Sequence, residues 1–314
     1  MSYPPRSETP APQPAPEASS ETASPSTPAG SDGDSRPAWL TRLADADTIA
    51  VTGPDSERFL QGQLSCNMSH LTASRSLRAA LCNLKGRVVA DLRVLRHDDC
   101  ILLICSAGMA DIVLTTLNKY KVFFKTELQN VSEQYVSLGI AGTDCAQALS
   151  ASGVQPPATT DDCTVAHGAV IVRVQASPAR FYCVLSGAHG ELAATLSSRC
   201  DSGTEQDWRL ADIVAGIAHI RPGQQELYTP QVLNYDINGV IDFKKGCYTG
   251  QEVVARMYYR ATAKKRLRHV TLQDTQTLPD NSDLVDAVKR ASGETEALVI
   301  APVADAEAGE QPRQ

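Results

Sequence analysis

The sequence predicts an α+β fold. Short apolar runs with strand periodicity and with helix periodicity occur in mixed order, and no long helix separates the strands regularly, as a doubly wound parallel sheet would require. There is no Gly-x-Gly-x-x-Gly after a strand pattern and no Walker loop. With 314 residues, 42% of them hydrophobic, the chain can bury a substantial core and suggests roughly two domains.

The first half of the chain predicts three strands and two helices. Residues 49–51 are typical of a strand, and a helix is predicted to open near Pro54 and to end at Gly62. Apolar residues alternate from Val88 to Val94, which predicts a half-buried strand. Cys100 and Cys105 flank a third strand, where their odd separation places the two thiols on opposite faces. Apolar residues recur at helical spacing between residues 110 and 120.

The second half repeats the mixture of short strands and short helices. Strands are predicted at 136–140, 170–174 and 181–185, and helices near 192–198 and 208–215. Because strands and helices are interspersed without a regular alternation, this half also favours the α+β class.

The amino-terminal residues 1–38 differ in composition from the rest of the chain. They hold nine of the 18 prolines, interleaved with Ala, Ser, Thr and Glu, so they are predicted to be disordered and dispensable for folding. An organelle presequence is the alternative, but acidic residues outnumber the two arginines here, whereas such presequences are rich in Arg and poor in acids.

Charge and cysteine usage narrow the class of protein. A net charge of −7 argues against general attraction to nucleic acid or anionic membranes, and no apolar stretch approaches the length of a membrane-spanning helix. The nine cysteines form no closely spaced metal-binding pair, so no metal site is predicted. Their odd number and the absence of a secretory signal favour a reducing, cytoplasmic location. Eight of them are interpreted as small buried hydrophobes.

The segment 242–268 contains the ninth cysteine, Cys247, in a setting that favours the reactive thiolate. Thr249 and Glu252 stand three apart before an apolar run, the pattern of a capping box at a helix start. Cys247 would then lie near the positive end of a helix dipole, beside Lys244 and Lys245. The alternative from the residues alone is a buried structural cysteine in a tight turn.

The same segment is strongly basic within an acidic chain. From 244 to 268 there are eight basic residues and one acid, a local charge of +7. This excess suggests a site for an anion, although a solvated helix face remains an alternative. A second basic region runs from Arg75 to Arg96, with Asp91 as its only acid.

The cysteine segment closely resembles the hallmark of the YgfZ family, Lys-Gly-Cys-Tyr-x-Gly-Gln-Glu. The matching residues are Lys245, Gly246, Cys247, Tyr248, Gly250, Gln251 and Glu252, followed by the Val-Ala-Arg continuation at 254–256. Further blocks are similar to family motifs: residues 53–63, Lys85-Gly86-Arg87, a Lys-Tyr-x-x-Phe-x-Lys run at 119–125, and a stretch containing Trp208, Pro230-Gln231 and Asn234. The resemblance covers about residues 40–300.

The resemblance implies a multi-lobed fold related to the T-protein, an aminomethyltransferase, with lobes around an opening that binds tetrahydrofolate or a derivative. It places two α+β lobes at 39–262 and a partial C-terminal β-lobe at 263–303, before an acidic tail at 304–314. The C-terminal β-lobe is shorter than is usual for the family, so it is either shortened or truncated. A second folate-contacting tryptophan of some family members would fall near Ala46 and is absent; Trp39 could replace it only by a different path.

The resemblance also implies a function and a set of site residues. The function is support for the assembly or repair of iron–sulfur clusters, including those of tRNA-modifying enzymes, through Cys247. The partners are iron–sulfur enzymes or carriers, with no membrane and no stable nucleic-acid binding, and a transient iron–sulfur cluster is left open as a second cofactor. Implied folate-binding residues are Trp208, Gln231, Asn234 and Arg256; Trp208 as a core residue of its helix is the alternative.

Two other functions are weighed against this one. A folate-dependent aminomethyltransferase would resemble Lys-Gly-Asp-Phe-x-Gly at the motif, with no thiol where Cys247 stands. A thiol redox module would require a resolving cysteine in a Cys-x-x-Cys spacing, which is absent. Whether the protein is an enzyme or an assembly factor is therefore undecided, with the assembly factor favoured.

Overall fold

The computed structural model describes residues 36–187, 190–273 and 276–303. The strands in these residues are β1 (Trp39–Arg42), β2 (Ala46–Thr52), β3 (Leu77–Cys82), β4 (Val88–His97), β5 (Cys100–Ser106), β6 (Glu127–Asn130), β7 (Tyr135–Ala141), β8 (Cys163–Ala166), β9 (Ala169–Gln175), β10 (Arg180–Ser186), β11 (Asp201–Ser202), β12 (Lys265–Leu272), β13 (Asp283–Lys289) and β14 (Thr295–Pro302). The helices are α1 (Ser56–Gln61), α2 (Ala110–Asn118), α3 (Cys145–Ala151), α4 (Gly190–Ser197), α5 (Glu205–Val214) and α6 (Gln251–Arg260).

The first sheet has five antiparallel strands in the order β3-β4-β5-β2-β6. The predicted strand at Val88–Val94 is confirmed and extends to His97 as β4. Its apolar side chains pack in the largest core cluster, together with α1, α2, α6 and residues from β12 to β14. The helix predicted near Pro54 begins later, at Ser56, and ends against Gly62 as expected.

The second sheet has six strands in the order β11-β1-β7-β10-β9-β8. Strand β1 lies between β11, to which it is parallel, and β7, to which it is antiparallel. Strand β2 follows after three residues and belongs to the other sheet, so the chain crosses between the two sheets at residues 43–45. The strands predicted at 136–140, 170–174 and 181–185 are β7, β9 and β10 of this sheet.

A third sheet is formed by the C-terminal strands in the order β12-β14-β13. Strand β14 is central and almost wholly buried, and β13 packs against α5. An ion pair between Arg209 of α5 and Asp286 of β13 joins this sheet to the rest of the fold. These strands lie within the range 263–303 predicted for the C-terminal β-lobe.

The structure changes the predicted end of the amino-terminal tail. Ala38 is buried, and the carbonyl of Arg36 accepts hydrogen bonds from the backbone N–H and hydroxyl of Thr143. The carbonyl of Ala38 accepts from the N–H of Asp201. Residues 36–38 are therefore part of the fold, whereas the predictions for residues 1–35 and for the acidic tail 304–314 lie outside the described residues. In the described ranges, none of the helices has the length and apolar character needed to cross a bilayer.

Candidate functional site

Cys247 is exposed in the loop that connects Asp242 to α6, here called the cysteine loop. All nine cysteines fall in the described part of the chain, and the other eight are buried or half-buried. Burial raises the pKa of the Cys66 and Cys82 thiols to about 12, so both stay protonated at neutral pH. A Cβ added to Gly246 would meet no atom within 4 Å, so the backbone beside the sulfur is open to an approaching molecule.

Lys245 anchors this loop to the end of α1. Its side chain is buried, and its Nζ donates hydrogen bonds to the carbonyl oxygens of Gln61 (2.7 Å) and Leu64 (2.5 Å). The Gln61 carbonyl belongs to the last turn of α1, where a helix leaves acceptors unpaired, and the Leu64 carbonyl lies three residues beyond the helix. Burial lowers the pKa of Lys245 to about 8, against the opposing effects of Cys66 and Asp242. The ammonium group of Lys245 is thus hydrogen-bonded to backbone carbonyls, whereas Lys244 is exposed.

Helix α6 begins differently from the prediction. Its N-cap is Gly250 with φ 82° and no side-chain cap, so the predicted Thr249–Glu252 capping box is wrong. The Thr249 hydroxyl instead donates to Oε1 of Gln63 at 3.0 Å. Gln251 supplies a local contact, because its Oε1 accepts the N–H of Tyr248 at 3.2 Å. Glu252 is exposed on the first turn.

The β3–β4 hairpin packs against the start of α6. A Cβ on Gly250 would lie 2.3 Å from the carbonyl oxygen of Asn83, and a Cβ on Gly86 would lie 3.0 Å from Val253. Both glycines have positive φ, so larger residues are excluded by conformation as well as by space. Three separate sequence blocks, 53–63, 85–87 and 245–252, therefore meet at the cysteine loop.

A cavity of about 170 Å³ lies elsewhere, between the sheets and α5. Its walls include residues of β3, β4, β5, α5, β13 and the segment 217–240, and Cys247 is not among them. Pockets that bury a whole drug-sized ligand measure roughly 300–1,000 Å³. This cavity therefore suits one ring system of a ligand, with the remainder extending outward.

Trp208 forms part of the cavity wall but is only 8% exposed. It lies on α5, which starts with a capping box between Thr204 and Asp207. Its indole ring lies against Gly139 of β7, where a Cβ would come within 2.4 Å of the ring, and under the guanidinium of Arg180 at 4.8 Å. Trp208 is thus both a packed residue and a cavity residue, and a ligand can contact only its small exposed fraction.

The second tryptophan, Trp39, is not on the cavity wall. It contacts Trp208 edge-on, with ring centroids 6.5 Å apart, and is buried. Ala46, where some family members carry a tryptophan, does line the cavity. Trp39 therefore packs against Trp208 outside the cavity wall. It does not supply the aromatic ring that is absent at Ala46.

A charge network that the sequence did not reveal borders the cavity; its Arg180 and Asp212 side chains are buried, whereas His219 is partly exposed. Nδ1 of His219 lies 2.8 Å from Asp91, and Nε2 lies 3.5 Å from Asp212, which also pairs with Arg180 at 2.8 Å. Burial alone would lower the pKa of His219, but the two carboxylates outweigh it and raise that pKa to about 10. His219 is therefore a cation here at neutral pH. The available sequence signal was Asp91, the single acid within a basic region.

Most other charges around the cavity are paired. Asp45 pairs with Arg221 and Asp286 with Arg209, while Nη2 of Arg78 donates to the carbonyl of Asn238 at 2.5 Å. The side-chain oxygen of Asn238 is buried without a hydrogen-bond partner.

The other residues implied in folate binding lie away from this cavity. The carbonyl of Gln231 accepts from Arg266, and Nδ2 of Asn234 donates to the carbonyl of Leu267 at 2.9 Å, so both hold β12 in place. Arg256 lies on the exposed face of α6. Of the four implied residues, the structure brings only Trp208 to the cavity wall.

The basic regions are also less available to an anion than the sequence suggested. In the region from Arg75 to Arg96, Arg93 and Arg78 pair with Asp161, and Arg75 with Asp162. In the segment 244–268, Arg266 pairs with the buried Asp236.

The described residues contain no group of three or more His, Cys, Asp or Glu side chains placed to hold a metal ion. An iron–sulfur cluster takes four ligands, and the described chain offers one exposed thiol. The residues present thus do not fit a resident cluster; any cluster contact would use ligands from another molecule.

The arrangement of sheets is that of an aminomethyltransferase-like fold. The structure aligns with the glycine cleavage system aminomethyltransferase T of Bartonella henselae with a TM-score of 0.70, covering 86% of this chain and 80% of that chain at 18% identity. Residues 40–180 match the family described as the GCVT N-terminal domain. The fold is thus that of the T-protein class, as the sequence resemblance implied.

Sequence relatives narrow the class to one family. The chain is 35% identical over 231 residues to the "tRNA-modifying protein YgfZ" of Photorhabdus laumondii, covering 73% of this chain and 69% of the relative. It is 32% identical over 232 residues to the protein of the same name from Klebsiella pneumoniae, covering 74% and 71%. The chain belongs to the YgfZ family.

Proposed function

We propose that this protein binds tetrahydrofolate or a derivative in the cavity and supports the assembly or repair of iron–sulfur clusters in enzymes, including tRNA-modifying enzymes, through Cys247. The observation that carries the proposal is the single exposed thiol on an anchored loop. A thiol in that position is accessible to the surface of another protein, because it is exposed and lies outside the cavity. The proposed location is the cytoplasm, where thiols stay reduced.

Folate binding is supported by the character of the cavity. Trp208 places part of an aromatic side chain on the cavity wall, where most of the surrounding charges are paired. Ring contact with an aromatic side chain contributes about 1 kcal/mol. The negatively charged glutamyl part of the ligand would extend out of the cavity, because its volume of about 170 Å³ is below that of pockets that bury a whole ligand.

Aminomethyl transfer is the second candidate, because a carboxylate, Asp91, stands on the cavity wall. That carboxylate is already engaged: it accepts the backbone N–H of Ile220 and contacts His219. A free amine would have to displace these partners. An assay of methylene transfer to tetrahydrofolate distinguishes this candidate from the assembly factor.

The test is complementation of cells that lack the native protein, with the activity of an iron–sulfur enzyme and the level of thiolated tRNA as readouts. Cys247→Ser should fold, bind tetrahydrofolate normally and fail to restore either readout. The matched control is Cys200→Ser, a half-buried thiol outside the loop, which should restore both.

The folate half of the proposal is tested on the same purified proteins. Trp208→Ala should weaken tetrahydrofolate binding roughly fivefold, the equivalent of ~1 kcal/mol. Full rescue by Cys247→Ser would remove the thiol from the function, whereas equal folate affinity in wild type and Trp208→Ala would remove Trp208 from the ligand site.

A further inference from the structure

A second exposed feature lies at the other end of α1 from the cysteine loop. Residues 119–125, here called the aromatic turn, include a 3-10 turn at Lys121–Phe123. Val122 is 79% exposed and Phe123 is 89% exposed, more than any other large hydrophobic residue in the described chain. These two adjacent apolar side chains do not pack in the core. Their combined exposure marks a candidate contact surface.

The turn holds these side chains out on a fixed backbone. The N–H of Phe124 donates to the carbonyl of Lys121 at 2.9 Å, and Phe124 packs edge-on against Phe59 of α1 with centroids 5.3 Å apart. The N–H of Lys125 donates to Asp55 at 2.8 Å, and that of Asp55 donates back to the Lys125 carbonyl. The backbone that carries Phe123 is therefore fixed by neighbouring contacts, and the turn would lose little backbone freedom on binding.

The rim of the aromatic turn is basic. Lys119 and Lys125 are exposed, and neither forms an ion pair with any residue the structure describes. Lys121 pairs with Glu127 at 3.1 Å, and Arg58 lies over the Phe124 ring at 5.1 Å. In a chain of net charge −7, this local excess selects for a partner surface with carboxylates.

The aromatic turn and the cysteine loop share α1 as their support. Asp55, at the helix start, holds the turn, and the Gln61 carbonyl, at its end, holds Lys245. A helix of six residues spans about 9 Å. A typical protein interface covers about 800 Å² on each partner, or about 30 Å across. One partner can therefore cover the turn and reach Cys247.

We infer that the aromatic turn is the docking site for the protein on which Cys247 acts, with Phe123 inserted in an apolar pocket that is rimmed by carboxylates. This inference rests on the proposed function. An anionic membrane is a poorer fit, because the whole chain is acidic and only two apolar side chains project. An aromatic anchor with a charged rim is the usual composition of a protein–protein contact.

The test measures binding of the full chain to a purified [4Fe–4S] tRNA-thiolating enzyme with its cluster intact. Phe123→Ser should raise the Kd at least tenfold, while the melting temperature and the tetrahydrofolate affinity stay unchanged. The control Val165→Ser removes an exposed apolar side chain from β8, in the other sheet, and should leave the Kd unchanged. The double variant Lys119→Gln/Lys125→Gln should weaken binding and reduce its dependence on salt.

Four results would overturn the inference: no binding by wild type, an unchanged Kd for Phe123→Ser, an equal loss in Val165→Ser, or Phe123-dependent binding to phosphatidylglycerol vesicles, to tRNA or to a second copy of this chain in place of the enzyme.

Complementation separates this inference from the proposed function. If Cys247→Ser fails to rescue while Phe123→Ser binds and rescues as wild type, the docking site is wrong and the function stands. If Cys247→Ser rescues fully while Phe123→Ser loses binding, the docking site stands and the role of the thiol is wrong.

Discussion

The environment of each cysteine determines what chemistry is open to it. Cys66 lies beneath the loop that carries Cys247, yet its thiol is buried and its pKa is raised to about 12. Cys100 and Cys200 are half-buried, and burial raises their pKa values as well. Thiolate is the nucleophilic form, so access and ionisation both restrict reaction at these three sites. Only Cys247 is free of the steric restriction.

We predict that iodoacetamide labels one thiol per native chain at pH 7.5, and that the labelled residue is Cys247. Cys66 and Cys82 should ionise only as the pH rises toward about 12, so their labelling should be absent at neutral pH and increase in strong base. Mass spectrometry of the intact protein and its peptides measures this. The native Cys247→Ser variant should not be labelled at any cysteine at this pH, whereas denatured wild type should be labelled at all nine. A second thiol that reacts as fast as Cys247 would contradict the prediction.

At the scale of elements, the cysteine loop depends on a contact between distant parts of the chain. Lys245 donates to the carbonyls of Gln61, at the end of α1, and of Leu64, three residues further on. The N–H of Thr249 donates to the carbonyl of Gly62 at 3.1 Å. The N–H of Asp242 likewise donates to the carbonyl of Ser65 at 3.0 Å. The loop is thus fastened along residues 61–65, and Cys247 projects from a fixed base.

We predict that Lys245→Met destabilises the fold by about 1–3 kcal/mol, because two buried carbonyls lose their donor. The neighbouring variant Lys244→Met is the matched control, since Lys244 is exposed and its loss should change stability by less than about 0.5 kcal/mol. Urea unfolding measures both values, and amide hydrogen exchange shows whether residues 242–250 open first in Lys245→Met. Equal stability of the two variants would show that Lys245 is not the anchor.

Local sequence patterns predicted the individual strands and helices better than the contacts between them. Alternation of apolar residues was sufficient for β4, because one strand face must enter the core. The start of α6 was mispredicted because Thr249 is bonded to Gln63, 186 positions away, and Gly250 is fixed by contact with Asn83. The His219–Asp91 pair, 128 positions apart, left as its only local signal one acid, Asp91, within a basic region. Contacts at such separations decide the site and are invisible to periodicity.

At the scale of the whole molecule, the chain joins two sheets near its beginning. Strand β1, the first strand in the chain, lies between β7 and β11 in the six-stranded sheet. The next strand, β2, already belongs to the five-stranded sheet. The six-stranded sheet is therefore complete only when residues near 40 pair with residues near 140 and 200. Trp39 of β1 also supports Trp208, so the position of the cavity wall depends on this insertion.

This topology changes the expected effect of removing the amino-terminal residues. Composition alone predicted that residues 1–38 are dispensable, but residues 36–38 bond to both neighbours of β1: Arg36 to Thr143 after β7, and Ala38 to Asp201 of β11. Arg36 also lies over the Trp39 ring at 4.7 Å. We predict that deletion of residues 1–35 leaves the melting temperature unchanged.

Deletion of residues 1–38 should lower the melting temperature by roughly 2–6 °C, because it removes these hydrogen bonds, the buried Ala38 side chain and the Arg36–Trp39 contact. Differential scanning calorimetry of the two deletions beside the full chain measures the difference, and Trp fluorescence reports whether the Trp39–Trp208 pair is disturbed. Identical melting of the two deletions would show that residues 36–38 add nothing to the stability of the six-stranded sheet. A lower melting temperature already in the shorter deletion would show that part of residues 1–35 stabilises the fold.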